Sequence, residues 1–189
     1  VEATDDDYSC WQRAMAGDGA AFGMIFDRHQ ARVYRHAFSL VGVAADAEDV
    51  AAAAFLELWR KRRSVRVVRG SVLPWLLVTT ANIARNQQRS LRRHRALLDA
   101  LPRPDESYDQ GTDVSEDLAA GLSQLDPVDQ GLLTLIALEG HSIKEAAEVI
   151  GLTETGARSR LHRARRRVKE SLIATRTRMS PPNHEEETA

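Results

Sequence analysis

Between Ser142 and Val168 the chain reads SIKEAAEVIGLTETGARSRLHRARRRV, and this stretch leaves the backbone few choices. Ser142 with Glu145 three residues later is a capping box, in which side chains satisfy the free donors of a helix start. Gly151 supplies the left-handed residue that ends this helix, and Thr153 caps a second one two residues further on. Ala147, four positions before the glycine, is small enough for the two helices to cross closely. The pattern is a helix-turn-helix.

On the second helix Ala157, Leu161, Ala164, Val168 and Leu172 share one narrow stripe, and the remaining circumference carries Arg158, Arg160, Arg163, Arg165, Arg166, Arg167 and Lys169. A solvated helix interleaves Glu with Arg at four-residue spacing, yet only Glu154 and Glu170 are present, one near each end. Such charge repels itself in water, and a phosphate backbone relieves it with release of counterions. The N-terminal part of such a helix enters the major groove. Glu154, Thr155, Arg158, Ser159 and His162 are therefore candidates for base edges, and Arg163, Arg165 and Arg166 for phosphates. An ordinary basic surface helix is the plainer alternative.

The whole chain, 189 residues long, has a formal net charge of only -1. The charge is segregated rather than absent. From Arg60 to Arg95 the sequence holds eleven basic residues and no acid, while acids gather at Glu2 to Asp7, Asp99 to Asp117 and Glu185 to Glu187. Alternating blocks of this kind suit a chain whose parts meet polyanions separately. With 43% apolar residues the chain is long enough for one or two cores. Its first residues carry neither a basic nor an apolar signal region, and no stretch approaches the roughly 20 apolar residues of a membrane span. The expectation is a cytoplasmic protein without membrane insertion. The single cysteine, Cys10, cannot form an internal disulfide, and its place near the start reads as part of a tail.

Phe22, Ile25, Phe26, Val33, Tyr34, Phe38 and Val41 recur at helical spacing, predicting a helix from about Ala20 to Val41 that Gly42 ends. The segment DAEDVAAAAFLELWRKR places acids at its start and bases at its end, as the helix dipole favours. After the basic connection RSVRVVRGSV, Pro74 opens a third helix, PWLLVTTANIARNQQRSLRRHRALL. PRPDESYDQGTDVS marks a linker, and Leu118 to Leu138 indicate two helices broken around Pro127, the second stopped by Gly140. No strand pattern competes. The predicted fold is all-α: two small helical domains joined by a flexible acidic linker, the C-terminal one containing the helix-turn-helix. The expected boundaries are a disordered or partly ordered segment at 1–19, a first domain at 20–100, a linker at 101–117, a second domain at 118–175 and a disordered tail at 176–189.

In this order, AAFGMIFDRHQARVYRHAF, DAEDVAAAAFLELWRKR, PWLLVTTANIARNQQR, a linker and the helix-turn-helix together resemble the extracytoplasmic-function (ECF) sigma factors of the sigma-70 family, from about residue 20 to residue 172. The resemblance implies a subunit that binds core RNA polymerase, recognises the minus-10 and minus-35 promoter elements with regions 2 and 4, and promotes transcription initiation. On this pattern Asp46, Asp49, Phe55, Leu58 and Trp59 dock on the clamp helices of the beta-prime subunit, some of the apolar ones also serving the core. Ser64, Arg66 and Arg69 of the Ser64 to Ser71 loop, with Asn82, Arg85, Asn86 and Arg89, act at the minus-10 element, where a base is flipped from the non-template strand at a cost of a few kcal/mol. Trp75 reads as core, with base stacking as the alternative. Region 4 reads the minus-35 duplex and touches the polymerase flap on the beta subunit. Asp105, Glu106, Asp109, Asp113, Glu116 and Asp117 either mimic RNA charge in the exit channel or form a plain spacer. An anti-sigma factor is an implied partner. The sequence departs from the family's pattern at Ala52 and Ala53, where a Gln-Glu pair is common, and at Gln130 and Gly131, where arginine is usual.

No enzyme is expected. The sequence has no Gly-rich phosphate loop and no nucleophile with a base, and its six histidines lack ligand spacing, so neither a cofactor nor a metal is expected. Two other readings stand beside the first: a sigma-like protein that engages an anti-sigma factor but binds polymerase weakly, and a stand-alone helix-turn-helix regulator of duplex DNA.

Overall fold

The computed structural model describes residues 6–99 and 125–179; the expected linker at 101–117 lies outside them. Helix α1 (Asp7–Met15) precedes α2 (Gly19–Val41), α3 (Ala44–Arg60) and α4 (Leu73–Asp99). The second unit contains α5 (Pro127–Leu133), a π-helical turn (Thr134–Leu138), α6 (Ile143–Ile150) and α7 (Glu154–Met179). Among the described residues there is no strand, only one isolated bridge between Val68 and Ser71.

Local chemistry fixes the ends. Asp18 caps α2 through the amides of Ala20 and Ala21, and Gly42 closes it at a φ of 73°. The Ser142–Glu145 box is complete, and Gly151 ends α6 at a φ of 83°. Thr153 accepts from the Gly156 amide at the start of α7.

The N-terminal segment departs from its reading as a tail. Cys10, Trp11 and Ala14 of α1 are all fully buried, in one core with Ile25, Leu58 and Leu76. Asp6 caps this helix, and the next residue ties it to the rest of the unit. The Asp7 carboxylate accepts from His29 Nε2 at 2.8 Å, from Arg28 at 3.2 Å and from the Val72 amide at 3.3 Å. Burial works against the charge on Asp7, but the hydrogen bonds from His29 and Ser71 and the charge on His29 hold its pKa down at about 2. At the other end of the chain α7 continues to Met179, past the expected domain end at residue 175.

The second unit has its own core of Leu132, Leu135, Ala146, Ala147, Ala157 and Leu161. That core also takes in Val68, from the connection between α3 and α4, and Trp75 packs against both cores. The two units therefore meet in a shared apolar seam along α4.

Candidate nucleic-acid interface

Helix α7 presents a basic face that no other described element covers. Glu154, Thr155, Arg158, Ser159, His162, Arg163, Arg165 and Arg166 are all exposed, while Ala157, Leu161 and Ala164 face inward. Arg158 donates to Glu154 one turn back at 2.9 Å, and Arg166 meets Glu170 at 3.5 Å. Exposed pairs of this kind contribute about 0.5 kcal/mol, so both guanidiniums can exchange their partners for phosphate or base at little cost. Arg160 differs from its neighbours. Its Nε donates to Asp129 at 2.7 Å and its Nη2 to Asp126 at 2.9 Å, which pins α7 to the start of α5. Sequence spacing alone did not separate this structural arginine from the others, because its acids lie more than thirty residues away.

The second basic surface is the connection from Lys61 to Val72. Arg69 and Gly70 have φ values of 52° and 73°, two successive left-handed residues that turn the chain back so that Val68 and Ser71 exchange backbone hydrogen bonds. An arginine in this conformation costs roughly 1 kcal/mol, and the turn holds it at its tip. Here Ser64, Arg66 and Arg69 are exposed as residues, but two of them are occupied. Arg69 forms a two-pronged contact with Glu145 at 2.7 and 2.8 Å and also reaches the Gly140 carbonyl at 3.3 Å. Arg66 donates to the Glu148 carbonyl at 2.9 Å. The Arg69 guanidinium and the Ser142 donors hold the Glu145 carboxyl down at about 2. On α4, Asn86 and Arg89 are exposed, whereas Asn82 and Arg85 are half-buried.

The face assigned to the polymerase lies on α3. Asp49 is exposed, and Asp46 is half-buried and accepts from Gln87 Nε2 at 3.2 Å. Leu58 is fully buried and Phe55 only 4% exposed, so Leu58 supports the core and offers a partner nothing to touch. Trp59 is wedged between Phe22, at 5.0 Å between ring centroids, and the Arg62 guanidinium, 4.3 Å above its ring. Beside these residues Phe26, Ala31, Tyr34, Ala51, Ala52 and Phe55 line a groove of ≈ 430 Å³ rimmed by Asp27 and Glu48. Among the described residues no group of His, Cys, Asp and Glu is arranged to hold a metal, and no helix is long and apolar enough to cross a membrane.

Sigma-70 region 2 matches residues 25–94, and sigma-70 region 4 matches residues 115–168. The RNA polymerase sigma factor CarQ of Myxococcus xanthus is 33% identical over 162 residues, covering 82% of this chain and 92% of CarQ. The chain belongs to the sigma-70 family. Its relatives include several ECF RNA polymerase sigma factors, and it is itself an RNA polymerase sigma factor of that group. The probable RNA polymerase sigma factor RfaY of Xanthomonas campestris pv. campestris is likewise 33% identical, over 85% of this chain, but the chain spans only 42% of that relative's length. Among solved structures, CnrH in complex with the cytosolic domain of CnrY superposes with a TM-score of 0.60 at 26% identity, covering 89% of this chain and 97% of CnrH. Sigma factors are initiation factors rather than catalysts, and they bind core RNA polymerase and promoter DNA.

Proposed function

We propose that this sigma factor divides promoter recognition between its two basic surfaces. The exposed face of α7 reads the minus-35 duplex, with Arg158 and its neighbours at base edges and Arg163, Arg165 and Arg166 on phosphates. The 62–71 connection and the exposed side of α4 act on the melted minus-10 element, while Asp49 and the α3 groove meet the polymerase clamp. One observation carries the reading most directly: the whole set assigned to the minus-35 element lies exposed on one helix, beside an arginine diverted to structural work.

Catalysis of a reaction has no place in this proposal, and the cytoplasm is the compartment in which the chain would work. A protein partner is supported by the likeness to CnrH, whose structure holds the cytosolic domain of CnrY, and an anti-sigma factor is our reading of that partner. Transcription from genomic promoters in vitro with purified bacterial core polymerase tests the proposal. Discrete promoter-dependent transcripts are expected. A folded chain that yields none, or that binds one duplex site tightly without polymerase, would favour the stand-alone regulator instead.

A further inference from the structure

The loop assigned to the minus-10 element is fixed at its two ends by different means. At the α3 end Arg62 donates to the Trp59 carbonyl at 2.8 Å and Ser64 to the Lys61 carbonyl at 3.0 Å, so the chain holds itself through contacts three residues apart. At the α4 end the holding group comes from α1. One oxygen of the Asp7 carboxylate accepts from the Val72 amide at 3.3 Å, and the carboxylate also takes the Ser71 hydroxyl. Its other oxygen accepts from His29 Nε2 at 2.8 Å and from Arg28 at 3.2 Å. A single side chain thus ties the end of the loop to α2.

Its surroundings make the tie a firm one. The Asp7 side chain is 14% exposed and His29 is buried, so little water competes for these bonds. Cys10 and Trp11, one turn further along α1, are fully buried in one core with Val72, which fixes the helix and the end of the loop against each other. Tyr8 packs beside the tip, where a Cβ built on Gly70 would lie 3.9 Å from the Tyr8 Cβ, an ordinary van der Waals contact. Ser71 passes the constraint on, because its hydroxyl accepts from the Leu73 amide at 3.1 Å where α4 begins. None of these partners is Ser64, Arg66 or Arg69, and α1 lies ahead of the residues matched to region 2.

We propose that Asp7 is a positioning residue for promoter opening: through Ser71 and the Val72 amide it holds the 62–71 loop in the shape that receives the unpaired minus-10 strand, without touching DNA itself. The turn at Arg69 and Gly70 places two successive residues in the left-handed region, a shape that an unbraced loop holds only part of the time. Affinity for the strand then falls by the fraction of loops already in that shape. The effect lies on opening rather than on first binding, because the minus-35 duplex is met by α7, which takes no part in the brace. This inference rests on the reading of the loop as a DNA contact, and the experiment separates the two.

The full-length chain, reconstituted with core polymerase on a promoter that the wild-type holoenzyme transcribes, is compared with Asp7→Ala, Ser71→Ala, Val33→Ala and the double variant Arg66→Ala/Arg69→Ala. Val33→Ala shrinks a fully buried side chain of the same core and lowers stability without reaching the brace. Permanganate reactivity of the minus-10 thymines, followed over a range of holoenzyme concentrations, separates initial binding from the opening rate, and circular dichroism confirms that the helices are kept. Asp7→Ala is expected to slow opening about tenfold and Ser71→Ala about threefold, with initial binding within about twofold of wild type, as a smaller competent fraction of loops requires. Val33→Ala should leave both quantities near wild type. Opening as fast in Asp7→Ala as in wild type would overturn the inference. Equal slowing by Val33→Ala at a matched loss of unfolding free energy would do the same, since Asp7 would then act through stability alone. If the double arginine variant opens the promoter at the wild-type rate, the loop is not the DNA contact and both readings fall; if it is slow while Asp7→Ala is not, only the role of Asp7 falls. Should Asp7→Ala lose its helices, Ser71→Ala decides alone.

Discussion

The two basic surfaces of this sigma factor have similar compositions and opposite circumstances. On α7 the assigned arginines stand exposed and pair, where they pair, with glutamates of their own helix. On the 62–71 loop two arginines reach across to the other unit, and a valine between them is buried in its core. The difference teaches that arginine content alone does not measure readiness to bind DNA. A helix keeps its guanidiniums clear by geometry, because its stripe of small residues faces inward and the rest must face out. A loop has no such rule, and its charge goes to whichever acid the fold brings near.

Arg160 offers the sharpest way to break the contrast, since it shares α7 with the exposed arginines and behaves like those of the loop. Arg160→Ala leaves Asp129, whose side chain is 7% exposed, without its partner. A loss of about 2 kcal/mol in unfolding free energy is expected, and a denaturant midpoint equal to wild type would dissolve the distinction. Next in size is the bracing of the loop by α1. Because folding depresses the Asp7 pKa from 3.8 to about 2, its contribution is fully present above about pH 4 and disappears as pH falls through about 2. Asp7→Asn should therefore cost on the order of 2 kcal/mol at neutral pH, with the two unfolding curves converging in acid; curves that stay parallel throughout would show that Asp7 is not the titrating brace. Arg158→Ala is expected to lose about 1 to 2 kcal/mol of discrimination among minus-35 sequences, measured as competition between promoter duplexes by the holoenzyme. The smallest effect belongs to Arg166→Ala. It should weaken binding almost uniformly across sequences and reduce the slope of log affinity against log salt by about 1. Reversed behaviour of these last two variants would exchange their roles.

Much of this architecture could be read from the sequence because it is written locally. The capping box at Ser142, the glycines at 42 and 151 and the apolar stripe of α7 each act within one or two turns, and each does in the structure what its chemistry dictates. Helix α1 escaped because nine residues carry too little period to distinguish Trp11 at full burial from an exposed aromatic in a tail. The π-helical turn at Thr134–Leu138 has no composition of its own. The partners of Arg69 and Arg160 lie 76 and 31 residues away, so their engagement is a property of tertiary packing rather than of pattern. Leu58, one of the apolar motif residues expected to serve the core as well, is fully buried there, and the motif alone does not say which of them it would be.

The position of Trp75 has a practical corollary. Of the three tryptophans, Trp11 is sealed in the interior and Trp59 is stacked under Arg62, whereas Trp75 leans on both hydrophobic cores at once. Separation of the two halves would wet that indole and leave the other two largely as they were. The chain thus carries an intrinsic optical gauge, and a red shift in its emission would follow the parting of the halves in real time without any label.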